Sequence, residues 1–213
     1  MLKRILEILG RSAKNNPASL SASQVIAAVN DLSQGNDKAL QMAQSIVDGR
    51  VLTDEESLYA ESIDEVTVFG TIAASLEFCG KLEVLDWAAS KCECEEAFER
   101  LFKGGGVDVA EPLARFRKLG EPRRGDTVGL AYVAFRLAAD TANMRILGLN
   151  ANSDAHHLIL VTSEVADRWH SVCIGDNQYI EDVDWQFKKL LSKEGIAARS
   201  SKHPSKNERP PPV

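Results

Sequence analysis

Two cysteines one residue apart, Cys92-Glu93-Cys94, are the first side chains in this sequence with an obvious chemistry, that of thiolate metal ligation. A zinc site needs four ligands, usually paired as Cys-x2–4-Cys or Cys/His knuckles. The spacing here is one residue, and His170 with Cys173 is the nearest approach to a second knuckle. The ordinary reading is two incidental thiols at a helix start, with no metal. His156 and His157 are adjacent at the start of an apolar run. Neighbouring strand residues point to opposite faces, so the two imidazoles cannot share one metal or one substrate atom. A catalytic histidine needs a nucleophile and an orienting acid. Ser153 and Asp154 stand close by, but no Gly-x-Ser-x-Gly elbow accompanies them. Gly104-Gly105-Gly106 follows a helical stretch and has neither the phosphate-loop nor the dinucleotide-site spacing, so it reads as a helix stop. Glu181-Asp182-Val183-Asp184 lacks the length and central glycine of a calcium loop and reads as an exposed acidic turn. No cofactor motif is present.

One further pairing depends on the fold. Asp86-Trp87 closes one strand-like run, and Ser153-Asp154 lies in the polar turn before another. If those strands pair, Asp86, Trp87, Ser153, Asp154 and His156 frame a polar cleft at the sheet end. The default reading is different: Trp87 belongs to the core and Asp86 caps the next helix.

The elements that would position these residues follow from periodicity. Leu2, Ile5, Leu6, Ile8 and Leu9 make a short amphipathic helix that Asn15, Asn16 and Pro17 stop. A second helix runs from a serine cap at Ser21 or Ser23 through Leu32, and a third from Asn36 or Asp37 to Gly49. Thr53 followed by Glu56 is a capping box, and apolar residues continue from Val66 through Phe78 to Gly80. Leu82, Val84, Leu85 and Trp87 suggest a strand, Glu93–Phe102 a helix and Asp108–Leu119 a weaker one. Thr127 to Thr141 is apolar nearly all round (Val128, Leu130, Tyr132, Val133, Phe135, Leu137), which predicts a central buried helix. Arg145–Leu149 and His157–Thr162 form an antiparallel hairpin across a long polar turn. The continuous run Leu158-Ile159-Leu160-Val161 predicts a strand covered on both faces. Val172–Ile174 and Tyr179–Ile180 flank a second turn.

Helices first and strands mostly later predict an α+β fold, with a small, mainly antiparallel sheet packed on a central buried helix. The chain divides into an N-terminal helical segment, 1–50, an α+β core, 51–191, and a basic, Pro-rich tail, 192–213, read as disordered.

The segment from Gly80 to Asp86-Trp87, with the later Leu147-Gly-Leu-Asn-Ala-Asn-Ser153-Asp154 and Leu158-Ile-Leu-Val161, resembles an uncharacterised family of bacterial domains of unknown function. The similarity spans roughly Glu55 to Ile180. Members often carry lysine after the Asp-Trp pair, where this chain has Ala88. The resemblance implies a cytosolic bacterial α+β domain and brings no activity with it.

Composition narrows the function class. With 44% apolar and 26% charged residues, a core forms without disulfide or metal staples. Between Gln186 and Val213 lie seven basic residues and two acids, a net +5, so the chain's −6 leaves −11 for the body before it. An acidic body argues against nucleic acid. In MLKRILEILG, Glu7 interrupts the apolar run that a signal peptide needs, and no apolar stretch is long enough to span a bilayer. Cytoplasmic location follows, with no membrane partner. Without a complete catalytic constellation, the first expectation is a non-catalytic accessory protein. Its acidic surface (Asp54, Glu55, Glu56, Glu61, Asp64, Glu65) would steer a basic protein partner. The alternative is a small-molecule-binding protein or hydrolase using the cleft of Asp86, Ser153, Asp154 and His156.

Overall fold

The computed structural model describes residues 20–60, 67–120, 122–151, 153–184 and Phe187. The helix expected at Leu2–Leu9 and the basic tail lie outside these residues.

Local signals start most elements. Ser21 and Gln24 form a capping box for α1 (Ala22–Leu32), which buries Val25, Ala28, Val29 and Leu32 on one face. The Asn36 side chain accepts from the Lys38 and Ala39 amides to begin α2 (Asp37–Val47). Thr53 and Glu56 cap α3 (Asp54–Ala60) reciprocally, at 2.8 and 3.2 Å. A separate Thr67 cap starts α4 (Val68–Phe78). After β1 (Leu82–Asp86), Ser90 and Glu93 form the capping box of α5 (Lys91–Gly104). Then come α6 (Ala110–Lys118), α7 (Thr127–Thr141), β2 (Met144–Leu149) and β3 (Ala155–Thr162). Thr162 is both the last residue of β3 and the cap of α8 (Ser163–Trp169), a helix the sequence reading did not anticipate. The hairpin β4 (Cys173–Gly175) and β5 (Gln178–Asp182) follows, with Asn177 at φ +56° in its turn.

The five strands form one antiparallel sheet in the order β1-β3-β2-β5-β4. Helices cover both faces, so the fold is α+β in three layers. Strand alternation sends Leu158 and Leu160 to one face and Ile159 and Val161 to the other. The first face packs against α5, α6 and α7 through Phe98, Phe102, Phe116 and Phe135. The second packs against α1, α2, α4 and α8 through residues such as Val29, Ile72, Leu76 and Trp169. Segment 1–50 thus contributes α1 and α2 to a core shared with the sheet. Trp169 donates its indole N–H to Asp31 (2.9 Å), which also pairs with Arg168 at 2.6 Å and fastens α8 to α1.

Glycine lets α5 end close against the sheet: a Cβ at Gly105 would lie 2.7 Å from the Leu160 Cδ2 methyl, which would have to move aside. The glycine run is therefore a helix stop that also lets the helix end touch the sheet.

Helix α7 is the most deeply packed element of its layer, lying on β2 between α5 and α6. Leu137 is an exception to the all-round burial expected of it, being 48% exposed. Phe135 is fully buried, with ring centroids 5.2 Å from Phe98 and 4.9 Å from Phe102. We expect Phe135→Ala to lower the unfolding free energy by about 3–5 kcal/mol, through lost transfer energy and the cavity left behind. Leu137→Ala should cost no more than about 1 kcal/mol. Urea unfolding of the two variants beside wild type measures both, and similar losses would refute this assignment of the core.

Candidate functional site

The register between β1 and β3 assembles the site. Leu85 pairs with His156 and Asp86 with Ala155. The Trp87 amide then donates to the Asp154 carbonyl at 2.8 Å, extending the ladder one step past the strand. The Asp-Trp strand end and the Ser-Asp turn are therefore neighbours. Cross-strand partners share a face, so Leu85, Trp87, Asp154, His156 and Leu158 all belong to the α7 side of the sheet.

At that end the helices leave the sheet uncovered, and a cleft of about 410 Å³ opens. Leu158, Val183 and Phe187 give it an apolar floor, while Asn150, Ser153, Asp154 and His156 supply polar groups. Trp87 lines it as well and is 41% exposed. This corrects the default reading of that pair: Trp87 is outside the core. Asp86 is exposed, and its carboxylate accepts from the Ala88 amide at 2.7 Å, closing a turn, while the helix cap is Ser90.

His156 and His157 diverge as the strand period requires. His156 lies 5.8 Å from the Phe187 ring on the cleft side. His157 meets Phe69 of α4 edge-on at 5.5 Å, in the opposite layer, and its Nδ1 is buried with no hydrogen-bond partner among the described residues. Burial pulls both imidazoles below the usual histidine value, the nearby Asp86 charge partly opposing this at His156 and a backbone hydrogen bond at His157. Both rings are therefore neutral near pH 7.

The geometry supplies recognition groups more readily than a nucleophile. The Ser153 hydroxyl accepts from the Ala155 amide at 3.3 Å and has no hydrogen bond to His156. Nucleophilic catalysis by serine needs such a bond.

The acidic turn at 181–184 is a second correction. Its carboxylates are partnered and half-buried: Glu181 with Asn150, Asp182 with Arg145, Asp184 with Arg136 (2.8 Å) and the Tyr132 hydroxyl. These contacts hold the segment that carries Val183, which is fully buried at the cleft floor. Sequence reasoning missed Val183, Phe187 and Asn150 as cleft residues. The one available signal was the apolar valine between acids.

The other candidates stay apart from this site. Cys92 is exposed, and Cys94 is fully buried, with its thiol pushed up to about 12 by burial. Among the described residues no three His, Cys, Asp or Glu side chains converge as metal ligands. Asp54, Glu55 and Glu56 sit on the first turn of α3, where the helix dipole favours acids. Glu61, Asp64 and Glu65 lie outside the described residues. No helix among those described is long and apolar enough to cross a membrane.

The histidine shifts fix a pH dependence. Each folded-state value is below the ordinary 6.5, so the unfolded chain binds more protons between the folded value and about 6.5. Their contribution to stability is complete above about pH 6.5 and is lost as pH falls through the folded values. Asp184, raised to about 6 by burial, acts in the opposite sense over the same range, so the histidine contribution is read as a difference: relative to wild type, we expect the urea midpoint of His156→Gln with His157→Gln to fall less, or rise more, between pH 7.5 and 5. A double variant with the wild-type profile would contradict this origin.

No family model matches the chain, nor does any curated protein or solved structure, which leaves the chemistry of the cleft as the guide to function.

Proposed function

We propose that the protein binds a small polar molecule in the cleft at the end of its sheet, without catalysing a reaction on it. The observation that supports this is a half-exposed tryptophan held beside convergent polar groups over an apolar floor, within a cleft of about 410 Å³. Ligand sites are commonly concavities of roughly this size, mostly apolar with a few oriented polar groups. Equilibrium dialysis of the purified protein against a mixture of small polar metabolites, followed by mass spectrometry, tests the reading. Wild type should retain at least one compound that Ser153→Trp, which fills the cleft mouth from an exposed loop position, does not. Retention of nothing by wild type, or of the same compounds by both proteins, would refute it.

A second reading is a docking surface for a basic protein, as the sequence alone first suggested. It draws on α3, where Leu58 is 70% exposed beside the exposed Asp54 and Glu55. An exposed apolar side chain on a helix that opens with acids fits a basic partner with an apolar anchor. Capture from native lysate should then weaken as salt rises and disappear with Leu58→Asp. Capture that survives Leu58→Asp would exclude this face.

A further inference from the structure

Trp87 is a large aromatic side chain that the fold could have hidden. Burying an indole is strongly favourable, and here the ring is both left partly open and held firmly in place. Its backbone is fixed by the bond to the Asp154 carbonyl and by the turn in which the Ala89 amide donates to the Asp86 carbonyl at 2.9 Å. Its ring is held by the loop that leads into α7. Gly125 stands at φ +88°, a conformation that favours glycine, and a Cβ there would lie 2.9 Å from Cζ3 and 3.0 Å from Cε3 of the indole. The Arg124 guanidinium lies 5.2 Å from the ring centroid. Among the described residues Arg124 pairs with no carboxylate, and the indole face is where its charge is met.

A clamped, partly exposed indole suits a flat partner. Aromatic stacking tolerates many ring types, since every such ring offers a π-face, while polar groups at the edge select among them. The polar residues lining the cleft with Trp87 are Ser153, Asp154 and His156, which bring a hydroxyl, a carboxylate and a neutral imidazole. The carboxylate accepts hydrogen bonds, and the hydroxyl and imidazole both accept and donate. Such a set pairs with ring N–H groups and ring nitrogens. Leu158 and Val183, both buried, give the cleft an apolar seat.

From this arrangement we infer that the cleft's occupant is a planar heteroaromatic ring bearing N–H donors, a nucleobase or nucleoside, stacked on Trp87. The inference rests on the cleft reading above and specifies its ligand class. Arg124 and Gly125 act as positioning residues, setting the plane of the indole without touching the ligand.

Calorimetric titration with adenosine, guanosine, cytidine and uridine, and with ribose as the ring-free control, tests it. At least one nucleoside should bind with Kd below about 1 mM while ribose does not. Trp87→Leu should weaken that binding about tenfold or more and Trp87→Phe, which keeps a ring, by less than about threefold. Gly125→Ala should weaken it too, by driving a methyl group against the indole. Thermal melts of each variant show whether it is folded, and an exposed position such as 87 tolerates both changes. Failure of all four nucleosides, or a Trp87→Leu protein that binds within threefold of wild type, would overturn the inference. If dialysis meanwhile retains an aliphatic compound that Ser153→Trp loses, the cleft reading stands and the ring specificity alone fails. If dialysis retains nothing, both fail.

Discussion

Everything in this fold is referred to strand β3, whose run Leu158-Ile159-Leu160-Val161 is apolar on both faces. A strand of this kind is stable only when covered on each side, and the chain provides a helical layer for each. Because the side-chain period is two, the register of β1 and β2 against β3 decides which residue faces which layer. A slip of one residue between β1 and β3 would move Trp87 to the face opposite His156 and dissolve the cleft. The site is therefore a by-product of the same apolar constraint that builds the core.

Ion pairing refines this arrangement rather than creating it. Some of the salt bridges among the described residues join two exposed groups, such as Arg50 with Asp48 and Arg168 with Glu164, and contribute little to stability. Arg136 is different: its side chain is only 12% exposed and holds Asp184. Arg145 similarly bridges Asp167 and Asp182. Together they tie the 182–184 stretch beneath the sheet end, where Val183 becomes part of the cleft floor. Charge is used here to fix a loop whose own apolar content is small.

How much of this was legible in the sequence depended on how local each cause was. Caps at Ser21, Asn36 and Thr53 announce their helices within four residues, and the strands around the polar turn at 150–154 were readable from alternation and turn chemistry, whereas the Ser90 capping box was passed over in favour of Asp86. Helix α8 was not readable, because Thr162 ends a strand and caps a helix with no glycine or proline between them. The exposure of Trp87 was invisible for a different reason. Tryptophan is usually buried, and what holds this one at the surface is a glycine loop far along the chain. The 181–184 turn looked solvated because its arginine partners lie on α7 and β2. The meeting of Asp86-Trp87 with Ser153-Asp154 was conceivable from sequence only as a consequence of strand pairing.

Strand β1 forms one border of the sheet among the described residues, and its make-up bears on how the protein behaves in crowded solution. An open strand edge offers unpaired amides and carbonyls to any other chain. This one is only five residues long. Carboxylates at Glu83 and Asp86 bracket the half-exposed Val84, and Arg100 ties Glu83 back to α5 at 2.8 Å. Immediately afterwards the Asp86 turn bends the backbone out of line. A neighbouring molecule finds too short and too charged a template to continue the ladder. Self-association along this border is therefore opposed even at high protein concentration.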